Sequence, residues 1–300
     1  MIQYLYLGRV AYDEGLRLQT EIAALVAEGR LKNVLLLLEH PPVLTLGRNA
    51  NRANVLAGDE LLAARGVTLH EINRGGDVTY HGPGQLVGYP IFDLRTLTNP
   101  NGGRMGPVDF VRGMEETLIR VCAGFGVQAG RVPGLTGVWV GSTGNREQGS
   151  GISEQGLGTK GLGTDGERAG IEKKIGAIGI HVAKGITSHG FAFNVTTDLR
   201  EFQLIVPCGI ADHGVTSLEH ELAQAGAGAQ PAPSLEAVAD QAARQFGMVF
   251  NERVLAVESL DALRAGAAEA ASQFPAEDTP LRVPTEVERL QGLPARPVQA

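Results

Sequence analysis

The hydrophobic positions of this chain change period from one segment to the next, and that change predicts its elements. Ile2 to Leu7 is apolar and aromatic enough for a strand. Ala11 to Glu28 follows with Leu16, Leu18, Ile22, Leu25 and Val26 at helical spacing. Asn33 to His40, NVLLLLEH, is an unbroken apolar run of strand length, the pattern of a strand covered on both faces, and Pro41-Pro42 ends it. VLTLGRN predicts a second short strand, Asp59 to Arg65 a short helix, and VTLHEINR and QLVGYPIFDL further strands. Pro107 to Phe125 reads as a helix with Pro at its start and Gly124 and Gly126 at its end. IGAIGIHV and ITSHGFAFNV read as two strands joined by a hairpin turn at Lys184-Gly185. SLEHELA starts a helix, a Gly/Ala/Pro linker runs from Gly226 to Pro233, and SLEAVADQAARQFGMVF is expected to be helix and then strand. Strands and helices interleaved in this way predict an α/β (α+β) fold, a mixed β-sheet flanked by helices.

Two segments break the pattern. Gly141 to Gly170 holds ten glycines and almost no apolar side chain, so it is expected to be a flexible insertion. Its GLGTKG and GLGTDG formally match a dinucleotide fingerprint, but that fingerprint needs a strand before it and a helix after it. Here NREQGSGISEQ precedes and GERAG follows, so tandem repetition of a short unit explains both copies. After Val254, a helix from Leu260 to Ala271 and a Pro-rich tail from Pro275 to Ala300 form an extension. The expected organisation is a main domain over 1–255, interrupted at 141–170, with the extension over 256–300.

Composition removes several function classes. A hydrophobic content of 43% in 300 residues supports a real core. A net charge of -7 with no long Lys/Arg run argues against nucleic acid. Cys122 and Cys208 are too few for a disulfide framework and lack zinc-ligand spacing, and the histidines offer no metal set. With no basic-then-apolar leader and no eighteen-residue apolar stretch, the expectation is a soluble, cytoplasmic protein that binds no membrane.

Three places carry candidate chemistry. Cys208, between Pro207 and Gly209 after the apolar LIV, suits a nucleophile that a substrate can approach closely, although a cysteine there also serves as a small buried hydrophobe. A thiol with pKa of about 8.5 is only a few per cent thiolate at neutral pH, so a nucleophilic role requires a base or cation beside it. Lys174 opens the strand KIGAIGIHV; on spacing alone it is a solvated residue, but pointing inward it is a candidate proton carrier, with Lys173 and Lys184 as alternatives. RGGDVTYHGPGQ, from Arg74 to Gln85, combines glycines that allow close approach with polar side chains that orient a ligand, or forms an ordinary turn-rich connection.

RGGDVTYHGPGQLVGYPIFDL, KIGAIGIHV followed by HGFAFNV, IVPCGI followed by GVTSL, and EHPPVLTLGRNANRANVL together resemble the bacterial lipoyl(octanoyl) transferases, over about residues 1 to 255 apart from the insertion. The resemblance implies a catalytic domain like those of biotin and lipoate protein ligases. It also implies transfer of an octanoyl group from an acyl-carrier-protein thioester to a specific lysine of a lipoyl domain, the first step of endogenous lipoate synthesis. The acceptors would be 2-oxoacid dehydrogenase acyltransferase subunits and the glycine-cleavage H protein. Cys208 would carry the acyl group and Lys174 would shuttle protons. Substrate contacts would fall on Arg74, Gly75, Gly76, Asp77, Val78, Thr79, Tyr80 and His81, on Ala177, Ile178 and Gly179, and on Gly190, Phe191 and Ala192. Ile178 and Phe191 would line an acyl tunnel. No cofactor or metal is expected, because a thioester already stores the energy of the amide. The rival reading is an ATP-dependent lipoate or biotin protein ligase, against which VPCGI and the lack of a GRGRxG-type loop count. Further rivals are a non-catalytic carrier-protein binding module, in which Cys208 only packs, and a Cys208 hydrolase.

Overall fold

A computed structural model describes residues 1–141, 172–207, 213–225 and 231–273. Cys208, the glycine-rich segment after Gly141 and the Pro-rich tail lie outside the described residues.

The chain opens with β1 (Ile2–Arg9), α1 (Tyr12–Ala27), β2 (Asn33–Glu39) and β3 (Val43–Leu46), followed by α2 (Asp59–Ala64), β4 (Thr68–Glu71), β5 (Val78–His81) and β6 (Gln85–Ile91). Next come α3 (Pro107–Gly124), β7 (Gly130–Val132), β8 (Leu135–Val140), β9 (Lys173–Ala183) and β10 (Ile186–Asn194). The last described elements are β11 (Gly214–Val215), α4 (Leu218–Gln224), α5 (Leu235–Phe250), β12 (Val254–Ala256) and α6 (Leu260–Gln273).

The large mixed sheet runs β12-β1-β2-β6-β10-β9-β8-β7, with β11 added beside β9. As the unbroken apolar run predicts, β2 is buried at every residue. Its alternation divides two cores: Leu35 and Leu37 pack toward α3 and α5, while Val34, Leu36 and Leu38 pack toward α1 and α6. The first core holds Phe92, Phe110, Phe246 and Phe250 in edge, tilted and stacked contacts. A smaller sheet, β4-β3-β5, has its own core of Leu44, Leu46, Val78, Tyr80, Phe202 and Leu204.

Two expectations need correction. The segment ending GMVF stays helical: α5 runs to Phe250 because Phe246 and Phe250, one turn apart, both face the α3 core, and Asn251 ends the helix in the left-handed region at φ 51°. The strand comes later, as β12, paired in parallel with β1. β8, absent from the expected elements, pairs antiparallel with β9 and brings Trp139 opposite Lys174. The Lys184-Gly185 hairpin turn forms as expected, with both residues at positive φ, 51° and 85°, as a two-residue turn of primed type requires.

Candidate functional site

The site begins with an irregularity in β9. Along β8 and β9, Val138 pairs with Gly176 but Trp139 pairs with Lys174, so Ile175 and Gly176 together occupy the space of one residue. This is a β-bulge. Ile175 and Gly176 both turn toward the α3 core: Ile175 is fully buried there, and a Cβ on Gly176 would lie 3.1 Å from Leu118. In a regular strand, residues three apart point to opposite faces. The bulge restores Lys174 and Ala177 to one face, and both border the same cavity.

That cavity, about 170 Å³, lies between the large sheet and the loop after β4. Arg74, Gly75, Gly76, Asp77, Thr79 and His81 border it from one side, and Ala177, Ile178, Gly179, Gly190, Phe191 and Ala192 from the other. Val78 and Tyr80 do not. The pleat of β5 sends them into the small core beside Phe202, while Thr79 and His81 face the cavity. The Phe191 ring lies over Gly88 and stacks on Phe246 at 5.9 Å, so its bulk belongs to the α3/α5 core. Tyr12, Val87, Tyr89, Thr136 and His189 complete the wall. Lys184 sits at the hairpin turn outside this lining, whereas Lys174 is in it and only 8% exposed. Pro207, the residue before Cys208, joins Lys174 in bordering two small adjacent recesses.

Backbone contacts set the cavity's shape. Gly75 N–H donates to the Ile180 carbonyl at 3.0 Å, and a Cβ on Gly179 would stand 2.7 Å from the Gly75 carbonyl oxygen. Only glycine at 179 lets the Arg74 loop approach the strand so closely. Gly179→Ala is therefore expected to push that loop outward, raising KM several-fold and costing about 1–3 kcal/mol of stability. Gly266→Ala, on α6 with open space at its Cβ, is the matched control. Thermal melts and saturation kinetics on the two variants check this.

Arg74 is buried and braced rather than mobile: its Nε and Nη2 donate to the Thr45 hydroxyl, Nη2 also to the Thr45 carbonyl at 2.7 Å, and Nη1 to the Gly75 carbonyl. Asp77 accepts from the Asn51 and Val78 N–H groups and from the Asn54 amide, fixing the loop after β3. A second network crosses the sheet. Gln85 donates to the Tyr80 carbonyl and to Asn194, and Asn194 donates to the Thr216 carbonyl, while Thr216 N–H donates to the Lys174 carbonyl. Because the Gln85 amide nitrogen is spent on acceptors, its oxygen accepts from Nδ1–H of His81 at 2.8 Å, leaving His81 Nε2 without a hydrogen. His40 follows the same logic: Nδ1–H donates to the Val10 carbonyl, so Nε2 accepts from the Tyr89 hydroxyl at 2.6 Å.

Burial holds these rings neutral. Desolvation pushes His40 and His189 down to about 4 and His81 to about 3 from 6.5, with the neighbouring histidines and Arg74 adding to it. The sign follows from linkage. Between the two values the unfolded chain binds more protons, so this stability is complete above pH 6.5 and is lost as pH falls toward 4. Each ring then costs on the order of 2 kcal/mol at pH 5. Denaturant midpoints are expected to drop steeply between pH 6.5 and 5, and His81→Asn should flatten that slope by about one proton. An unchanged slope in the variant would remove His81 from this account.

The sequence offered few signals for Tyr12, Tyr89 and Trp139. The same holds for His189, whose φ of 57° within a strand, rare for a residue with a Cβ, and whose N–H donation to buried Gln19 only the structure shows. Among the described residues, no group of His, Cys, Asp and Glu side chains could hold a metal, and no helix is long and apolar enough to cross a membrane.

The family model for the lipoyl protein ligase A/B catalytic domain matches residues 11–247. The chain belongs to this family. It is 55% identical over 86% of its length to an octanoyltransferase of Acidobacterium capsulatum, covering 94% of that protein. To an octanoyltransferase of Koribacter versatilis it is 47% identical, over 97% of both chains. The fold matches a bipartite lipoate protein ligase from Thermoplasma acidophilum, described with its E2 lipoyl domain, at a TM-score of 0.56 and 16% identity, over 91% of each chain. It also matches a lipoate-protein ligase A bound with ATP, at 0.54 and 14% identity, over 90% of this chain and 94% of that one. The expected architecture, a mixed sheet flanked by helices of ligase type, is the one observed.

Proposed function

We propose that this chain transfers an octanoyl group from an acyl-carrier-protein thioester to a lysine of a lipoyl domain, through a thioester on Cys208, with Lys174 as the proton carrier. The observation that carries the reading is a cavity bordered by apolar side chains and glycine backbone, with buried Lys174 in its wall and Pro207, one residue before Cys208, beside that lysine. The octanoyltransferase relatives, similar over nearly their whole length, support the same chemistry.

In the first half-reaction Lys174 takes the Cys208 thiol proton, the thiolate attacks the octanoyl carbonyl, and the tetrahedral adduct expels the carrier's pantetheine sulfur, which receives that proton back. One thioester is exchanged for another, so the step is close to isoenergetic. In the second, the acceptor lysine is the harder nucleophile: an amine with pKa of about 10.4 is neutral only about 0.04% of the time at pH 7. The acceptor ammonium releases one proton to solvent. Its nitrogen attacks the acyl carbon while Lys174 takes a second proton from it, the C–S bond to Cys208 breaks, and Lys174 hands that proton to the departing sulfur. Ala177, Ala192, Val87 and Ile178 give the chain's methylenes an apolar wall, and Arg74 to His81 form the opposite side. The acceptors are lipoyl domains of 2-oxoacid dehydrogenases and the H protein. A reducing cytoplasm suits a reaction that needs Cys208 as a thiol.

The test is direct. Purified protein with octanoyl-carrier protein and a lipoyl domain, without nucleotide, should yield octanoyl-lysine. Product that forms only when ATP is added would replace this reading with that of a ligase, and release of free octanoate without any acceptor domain would indicate a hydrolase.

A further inference from the structure

We propose that Trp139 is a positioning residue for the proton carrier: its indole face holds the Lys174 ammonium in place at the cavity wall. This rests on the reading of Lys174 given above. The geometry is a cross-strand pair. Trp139 on β8 lies opposite Lys174 on β9, and Lys174 Nζ sits over the indole, 4.5 Å from its centroid. Both side chains are buried, at 1% and 8% exposure, so water screens the contact little.

The choice of tryptophan points the same way. Among the described residues its buried Nε1–H finds no acceptor, and Nδ1 of His213, whose ring meets the indole edge-on at 5.2 Å, finds no partner. A buried N–H without an acceptor is a cost that phenylalanine would avoid. What the indole offers over a phenyl ring is a stronger negative π-face for a cation. The strand beneath is pinned: Glu115 on α3, fully buried, accepts from Gly137 N–H at 3.0 Å and is held by Arg112 and Arg131. Gly137 in turn lies against Lys174, since a Cβ there would come 3.4 Å from the lysine's Cε. Among the described residues, the groups around Lys174 are Trp139 and Thr136 from β8, Glu115 with Arg112 from α3 and Arg131 from β7, and His213 from the segment leading into β11. Thr79 and His81 from β5, Gln85 from β6 and Asn194 from β10 also face it, with Arg74, Asp77 and His189 across the cavity.

Trp139 is the chain's single tryptophan, so its fluorescence reads this contact without any turnover. Emission should change more in Lys174→Met than in His213→Gln. In the transfer assay, Trp139→Leu should lower kcat by about 2- to 30-fold with KM unchanged, because the proton carrier is no longer held in place. Trp139→Phe should give a smaller loss of kcat with undiminished thermal stability, which a purely structural role would not produce. It also keeps the test open if the leucine variant does not fold. A wild-type kcat in folded Trp139 variants, while Lys174→Ala loses transfer, would overturn the proposal and leave the proton-carrier reading standing. Wild-type transfer in Lys174→Ala would overturn both.

Discussion

Cys208→Ala is expected to reduce octanoyl transfer by roughly 10⁴-fold or more, to the uncatalysed background. The size follows from what the residue supplies. Without Cys208 the acyl group has no enzyme-bound thioester to rest in, and the carrier and the acceptor domain would have to meet at one cavity together. With a thioester on Cys208, the carrier can leave before the acceptor domain docks, and the one cavity bordered by Lys174 serves both half-reactions in turn. Cys208→Ser separates this from a packing role. Serine is close in volume and preserves the fold, yet its hydroxyl is a far poorer nucleophile at neutral pH. Activity retained in the serine variant would mean that the side chain only packs.

Lys174→Ala is expected to lower transfer by about 10²–10⁴-fold at neutral pH, the range of a positioned general acid–base group. The loss should shrink as pH rises, since solution hydroxide then generates more thiolate at Cys208 and more free amine on the acceptor. Acylation and deacylation should both slow, because the same proton carrier serves both. Lys184→Ala, at the hairpin turn outside the cavity lining, should leave the rates unchanged. Stopped assays of each half-reaction from pH 6 to about 9.5 check this. Identical profiles for Lys174→Ala and wild type would remove Lys174 from the mechanism.

Much of the fold was legible because local pattern and final burial agree. The continuous apolar run of β2 announced a strand covered on both faces, and Lys184-Gly185 announced a hairpin turn that only left-handed residues make. What was hidden depends on pairing between distant segments. Nothing near Ile175 marks the bulge that puts Lys174 and Ala177 on one face, because a bulge is defined by the partner strand, and β8 is too short and glycine-interrupted to stand out. The same holds for RGGDVTYHGPGQ. Its composition pointed to a ligand wall, but only the pleat of β5 separates Thr79 and His81, at the cavity, from Val78 and Tyr80, in the small core. Tyr12 and Tyr89 were invisible for a different reason: an aromatic on a predicted helix or strand reads as core, and these two are core residues that also border a cavity.

The most direct test of acyl transfer through Cys208 is intact-protein mass spectrometry after mixing with octanoyl-carrier protein and no acceptor. The account predicts one octanoyl group per chain, mapped to the Cys208 peptide, released by hydroxylamine as a thioester would be, and passed to a lysine when a lipoyl domain is added. Wild-type protein that produces octanoyl-lysine without ever carrying the adduct, or an adduct that persists in Cys208→Ser at the wild-type rate of formation, would contradict it.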